Sequence, residues 1–443
     1  MANVILLAGL GFGDEGKGSV TDFLCRTHSV DCVVRFNGGA QCAHNVVTPK
    51  GDHHTFAQFG SGTFAGAKTH LSRYMLVNPI TLDNEAAALK RLIGDPYPLL
   101  TVERGALITN PFQIAANRAK ETLRGSHRHG SCGLGIGETV EDFLKHPDMA
   151  IRIGDLQDLE VLRRKLQFSR ELKTSQIEPA VALRFTGIQD NILGCLRDHD
   201  AVNWCIERYI EIAKRLNIVD ESYLPTLLEN DGTVLFEGAQ GVLLDQDYGF
   251  HPYTTWSDTT FGNATELLQE AHHTGPVKRV GILRGYMTRH GAGPFPTEVP
   301  DPEITQDVHN KYGEFQQDFR LGHFDLVLAR YALNVIGGVD ELILTNLDKL
   351  GNEPKICTKY LWTTEDGYRP TTTTCYELSV LEPADLAFQE HLTKALTSEV
   401  IPFYEKLTTR PTLVQRIGQG LNVKVSFCSF GPTCEDKVPW MNS

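Results

Sequence analysis

No two of the ten cysteines stand in a C-x-x-C spacing, which excludes the commonest structural zinc sites. They are scattered singly at 25, 32, 42, 132, 195, 205, 357, 375, 428 and 434. That is the pattern of reduced thiols in a cytoplasmic protein, not of a disulfide framework. No apolar run approaches the ~20 residues that would span a bilayer, so no membrane partner is expected. The start, Met1-Ala2-Asn3-Val4, lacks the basic stretch and cleavage pattern of a secretion signal. Positive charge is in deficit: the net charge is −13. Non-specific binding to nucleic acid needs a basic footprint, so no nucleic-acid partner is expected, although a local pocket for a nucleotide remains open. No repeat, low-complexity tract or Pro/Ser/Gly linker divides the 443 residues. A single large domain over 1–443 is expected, with a mainly helical insertion at about 156–230.

What the chain does have is glycine, concentrated after short apolar runs. Val4 to Ala8 reads as a buried strand. Gly9-Leu10-Gly11-Phe12-Gly13-Asp14-Glu15-Gly16-Lys17-Gly18 follows, and Ser19 to Leu24 reads as the first turns of a helix. Strand, glycine turn and helix together present backbone N–H groups and a helix N-terminus to an anion. Gly11 to Lys17 fits the phosphate-loop spacing G-x-x-x-x-G-K, but Gly18 stands where such a loop has Ser or Thr for Mg²⁺. The acid pair Asp14-Glu15 is unusual, because a carboxylate beside phosphate is unfavourable unless a metal or a proton transfer requires it.

The pattern repeats. Asp31 to Phe36 runs into Asn37-Gly38-Gly39-Ala40-Gln41-Cys42-Ala43-His44, which puts His44 at the carboxyl edge of the sheet, where ligands bind in open α/β folds. Thr233 to Phe236 leads into Glu237-Gly238-Ala239-Gln240-Gly241, and Val280 to Leu283 into Arg284 and Gly291-Ala292-Gly293. Glu341 to Leu344 leads into Thr345-Asn346-Leu347-Asp348, and Asn422 to Phe427 into Ser429-Phe430-Gly431. Further strands are expected at Tyr74–Val77 and Gly105–Thr109, and helices at Asp83–Ile93 and Pro111–Leu123. Gly130 to Gly137, with four glycines, cannot hold a helix; it suits a loop around a ligand or a plain linker. The fold class is therefore α/β, a large mostly parallel central sheet flanked by helices with a P-loop-like phosphate site. Thr345 to Asp348 resembles the guanine-reading box of GTP-binding proteins, with Asn346 in place of its Lys. The Asp348 carboxylate can accept from both N1–H and N2–H₂ of guanine.

These blocks together resemble the adenylosuccinate synthetase family: Gly13 to Gly18, Phe236 to Asp245, Thr288 to Glu298, Leu344 to Asp348 and Ser429 to Pro432, in order and nearly from end to end. The resemblance implies a GTP-dependent ligase that condenses IMP with L-aspartate. Phosphorylating the purine 6-oxo group makes a leaving group that the amine displaces. It implies Asp14 as general base at purine N1, His44 as general acid and Lys17 as a charge stabiliser, with Gln240 near O6. Mg²⁺ would be held by Asp14 and the Ala43 carbonyl. GTP would contact Gly13, Glu15, Gly16 and Gly18 through its phosphates, and Asn346, Asp348, Ser429 and Gly431 through its base. The purine nucleotide would lie against Gln41, Ser131, Cys132, Gln240 and Arg320. A homodimer is implied.

The chain departs from the family at four places. The loop continues Lys17-Gly18-Ser19 where the family has Lys-Gly-Lys. Gln41 replaces an Asn beside the IMP site. Cys132 replaces a phosphate-binding hydroxyl with a weaker donor. The arginine-rich aspartate loop stands here as Phe315-Gln316-Gln317-Asp318-Phe319-Arg320, with only Arg320 kept. Bidentate arginine pairing is how a protein grips a carboxylate, so the amine donor stays open. The alternatives are another amine or another purine such as dGMP, a non-catalytic nucleotide-binding paralogue, and a P-loop GTPase switch.

Overall fold

The computed structural model describes residues 1–125, 128–183, 190–299, 318–365, 370–380, 382–383 and 385–441. Phe315, Gln316 and Gln317 of the altered aspartate loop lie outside them.

Ten strands form the central sheet: β1 Asn3–Gly9, β2 Cys32–Arg35, β3 Lys68–Leu71, β4 Leu100–Glu103, β5 Asn217–Val219, β6 Thr233–Glu237, β7 Val277–Arg284, β8 Glu341–Thr345, β9 Val425–Ser429 and β10 Lys437–Pro439. Their order is β10-β9-β8-β7-β1-β6-β2-β3-β4-β5, and every pair is parallel except β9–β10. Parallel strands need both faces covered, which is why β1 is apolar and buried from Val4 onward. Its side chains alternate between two cores. Val4 and Leu6 face one with Val34, Phe236 and Leu344. Ile5 and Leu7 face the other with Val33, Leu235, Ile282 and Ile343.

Helix α1, Lys17–His28, closes that second core with Val20, Phe23 and Leu24. Helix α2, Pro79–Ile93, starts on an Asn78 cap and ends at Gly94. Helix α3, Pro111–Arg124, starts on a capping box of Asn110 and Gln113. Helices α4, Ile136–Lys145, and α5, Leu159–Leu183, pack around it. The described residues between 156 and 230 are mainly helical and also deliver β5 to the sheet edge. A smaller antiparallel sheet pairs Lys355–Glu365 with Pro370–Cys375 and Val400–Lys406. No helix among the described residues is long and apolar enough to cross a membrane.

Two expected strands are not strands. Tyr74–Val77 begins as a turn, with the Met75 N–H donating to Ser72, and then makes only single bridges. Gly105–Thr109 likewise makes single bridges, Leu107 to Arg152 and Ile108 to Val77. Both are chain running past the carboxyl ends of β3 and β4. The true strands there were hidden by polar residues. In β3, Thr69 accepts from the Gly60 N–H, and His70 Nδ1 pairs with Thr101 while its Nε2 is buried without a partner. Strand β9 starts later than expected because Asn422, in a left-handed conformation, ends the helix Arg410–Leu421.

Candidate functional site

The carboxyl ends of six neighbouring strands, β9, β8, β7, β1, β6 and β2, carry nearly every residue singled out from the sequence. After β1 the chain needs left-handed backbone at Gly13, Asp14 and Gly16. Glu15 holds this turn from inside. Its Oε1 accepts from the N–H groups of Gly11 and Gly13 at 3.0 and 2.8 Å, and its Oε2 takes Lys17 Nζ at 2.5 Å. Both side chains are buried. Glu15 is thus a strut of the loop, and the acid that faces outward is Asp14. Gly18 has its own reason. A Cβ there would lie 2.8 Å from the Asn45 carbonyl oxygen and 2.9 Å from the His44 carbonyl carbon. The Ser or Thr of an ordinary phosphate loop has no room, so α1 and the His44 segment touch backbone to backbone.

His44 is buried, and its Nδ1 lies 2.7 Å from Glu237 Oε1 at the end of β6. Glu237 also accepts from Ser61 N at 3.0 Å and Ser61 Oγ at 2.5 Å. Burial alone would raise the Glu237 carboxyl, but His44, the Arg35 guanidinium and Ser61 hold it down at about 2. Burial in turn holds the His44 imidazole below its ordinary value, against the pull of Glu237. The pair at neutral pH is therefore a carboxylate and a neutral ring protonated on Nδ1, with Nε2 left as an acceptor.

Asp14 is fixed at both ends. Its carbonyl accepts from Arg284 Nε, and its Oδ2 lies 3.1 Å from His290 Nε2. Burial pushes its carboxyl up, but the His290 contact, with Arg284 and Lys17 nearby, outweighs this and keeps it below the ordinary carboxylate value. On the β6 and β2 side, Gln240 is in the left-handed region. Its Nε2 approaches Cys42 Sγ at 3.8 Å, and its Oε1 is buried without a partner. Both polar atoms of the Gln41 amide are likewise buried and unpartnered. Two amides with unmet hydrogen bonds at one sheet edge suit the edges of a heterocycle. The loop from 128 to 135 is pinned on α3: Ser131 Oγ exchanges hydrogen bonds with Asn117, and Gly135 N–H donates to the same side chain. Burial pushes the Cys132 thiol up to about 11, so it is a neutral group there.

At the other end of the row, Asn346 is left-handed and starts the short turn Leu347–Lys349 that presents Asp348. Ser429 Oγ donates to Gly431 O at 2.9 Å, and Lys437, within electrostatic range of Asp348, anchors the same loop on Thr433 O. Thr345 Oγ1 ties this end to the phosphate loop through Glu15 O at 2.6 Å. Arg320 is engaged inside the protein. It pairs with Glu298 through Nε at 2.9 Å and Nη2 at 2.5 Å, and its Nη1 donates to the carbonyls of Gly291 and Gly293. The Asp14 carboxylate and the carbonyl of the exposed residue Ala43 are hard oxygen donors of the kind Mg²⁺ takes. Among the described residues no group of three or more His, Cys, Asp or Glu could hold a metal. The set therefore fits an ion bound largely by a ligand's phosphates and water.

Sequence reasoning missed Glu237 as the partner of His44, and Arg284 and His290 as partners of Asp14. Each stands at or just past a strand end, which was the available signal; nothing local names the distant partner.

A family model for adenylosuccinate synthetase matches residues 6–438. The adenylosuccinate synthetase of Cyanothece sp. is 32% identical over 429 residues, covering 89% of this chain and 91% of the relative. That of Nostoc punctiforme is 35% identical over 373 residues, covering 81% and 77%. A fully ligated adenylosuccinate synthetase from Plasmodium falciparum superposes with a TM-score of 0.77 at 24% identity, over 99% of this chain and 100% of that one. A cyanophage S-2L succinoaminodeoxyadenylate synthetase bound to dGMP and dATP gives 0.60 at 15% identity, over 99% and 95%. Those two likenesses speak for the fold. The family model and the sequence relatives, spanning most of the chain, decide the rest: the chain belongs to the adenylosuccinate synthetase family of carbon–nitrogen ligases.

Proposed function

We propose that the chain condenses IMP with L-aspartate, using GTP, to give adenylosuccinate, GDP and phosphate through a 6-phosphoryl purine. The observation that carries this is the pairing of a held, ionised Asp14 with a Glu237-backed His44 across one glycine loop. Asp14 takes the N1 proton of the purine, which makes O6 nucleophilic toward the γ-phosphoryl group. Lys17 and the loop N–H groups meet the charge on the transferring group. His44, on the GTP side, acts as the acid. Its ring is neutral in the free protein, so it takes up a second proton as the triphosphate brings negative charge, and Glu237 stabilises the imidazolium. Gln240 and Gln41 hold the purine, with Ser131 and Cys132 toward its phosphate. Asn346, Asp348, Ser429 and Gly431 take guanine. When bound, Mg²⁺ supplies charge neutralisation between the phosphates, held by Asp14 and the Ala43 carbonyl. The reading includes one large domain, a homodimer and a cytoplasmic setting.

A second reading, the same purine activation with a different amine, is favoured by Arg320: it alone remains of the arginine cluster, and Glu298 already occupies it. One experiment separates the two. Phosphate release from GTP is followed with IMP, with and without aspartate, alongside the ultraviolet change of a 6-amino-substituted purine. Release needing both substrates supports the first reading. IMP-dependent release indifferent to aspartate supports the second. No release under either condition refutes the first reading.

A further inference from the structure

Residues Met287–His290 pair antiparallel with Phe319–Gly322, so that Arg289 faces Arg320 and His290 faces Phe319. This hairpin is fastened to the phosphate loop at two consecutive residues. The buried Arg289 guanidinium lies over the Phe12 ring, 4.2 Å from its centre. Next to it, His290 Nε2 meets Asp14 Oδ2 at 3.1 Å. The His290 ring rests against Phe319, with centroids 4.8 Å apart.

A carboxylate only accepts hydrogen bonds, so His290 Nε2 must carry the proton in this contact. The other nitrogen, Nδ1, is buried with no partner. The ring is thus a donor held against the tilted Phe319 ring and aimed at one oxygen of Asp14. Together with the left-handed backbone at Asp14 and Arg284 on its carbonyl, this removes the carboxylate's freedom to rotate.

We propose that His290 is a positioning residue for Asp14: its Nε2–H holds Oδ2, so that Oδ1 is the oxygen presented to the purine N1–H. The proposal rests on the reading of Asp14 as the base. It also makes the hairpin that carries Arg320 the element that aims the base.

The test uses the full chain and two variants. His290→Phe keeps the ring packing on Phe319 and removes the donor, whereas His290→Gln keeps an amide N–H near the position of Nε2. His290→Phe should lower kcat about tenfold to a hundredfold, the effect of a misaimed group, with the KM for GTP changed less than about twofold. His290→Gln should recover most of the loss. In an Asp14→Asn background His290→Phe should lower the residual rate no further. Unchanged kcat in His290→Phe, equal losses in both variants, or losses that multiply in the Asp14→Asn background overturn the proposal. A spectrum of the ¹⁵N-histidine-labelled chain gives an answer independent of turnover. The His290 signal, assigned with His290→Gln, should show a proton on Nε2 and move on Asp14→Asn; a signal indifferent to Asp14 overturns the positioning role. A wild-type chain with no IMP-dependent turnover refutes the functional reading instead, and the spectrum still decides the contact.

Discussion

Replacing Glu237 with glutamine removes one charge and almost no volume. The carboxylate serves three donors, His44 Nδ1, Ser61 N and Ser61 Oγ, at 2.7, 3.0 and 2.5 Å. A glutamine offers one oxygen and one NH₂ group, so at least one buried donor then faces another donor. That costs about 1–3 kcal/mol, and the bond to His44 loses roughly 1 kcal/mol of charge assistance. The His44 imidazolium also loses its counter-charge, in the step where the proposed mechanism has His44 act as the acid. The kcat should fall on the order of a hundredfold, about 2.7 kcal/mol of barrier, and the melting temperature by a few degrees. The pH profile of stability adds a sign. The folded value of the Glu237 carboxyl, about 2, is below its ordinary 4.5. Its contribution is therefore present above the ordinary value and lost as the pH falls from there toward the folded one; the variant should lack that loss. The assays are phosphate release at saturating GTP, IMP and aspartate, and thermal unfolding at several pH values. A variant that melts earlier but keeps kcat within about threefold of wild type would sink the reasoning, since Glu237 would then serve the fold alone.

Gly18→Ser should cost at least tenfold in kcat while the protein still folds, because the new Cβ meets the backbone at Asn45 and α1 must move away from His44; steady-state kinetics and circular dichroism check both halves. Asp348→Ala should lower the preference for GTP over ATP at least tenfold, the worth of about 1.5–3 kcal/mol of charged hydrogen bonding, read as a ratio of kcat/KM values. Lys173 is fully buried between Glu138, at 2.8 Å, and Asp142, at 2.5 Å. Lys173→Met should destabilise by about 3–5 kcal/mol, measured by chemical unfolding. Burial lifts the Asp325 carboxyl to about 6, above its ordinary 3.8. The folded state then holds its proton more tightly than the unfolded one, so stability falls as pH rises between those values. Asp325→Asn, which keeps the cap on Val327 and Leu328, should flatten that slope in melting curves taken across the range.

The phosphate loop was legible because its geometry is local: glycines must stand where the backbone turns left-handed, and a strand and helix must flank them. The parallel sheet was legible for the same reason, as apolar runs emptying into glycine loops. What stayed hidden depends on distance along the chain. Glu237 and His44 are 193 residues apart, and Asp14 and His290 meet only through a hairpin packed on the loop. Glu15 shows the converse. Its place beside Asp14 suggests a shared role, whereas the fold turns it inward to hold the loop. At β3 the sequence misleads because Thr69 and His70 look too polar for a central strand until their partners are known.

The first strand lies in the middle of the sheet, between β6 and β7, which the chain supplies more than two hundred residues later. At ~5–20 residues per second on the ribosome, the amino-terminal segment stays without those two neighbours for on the order of ten seconds or more. Its apolar run and open edges are then a template for unwanted pairing. Newly made chains should accordingly lean on chaperones. A fragment ending before β6 should bind no nucleotide and should aggregate, although it contains the whole phosphate loop. In this molecule the catalytic edge is begun by the first residues made and completed only in the last third of translation.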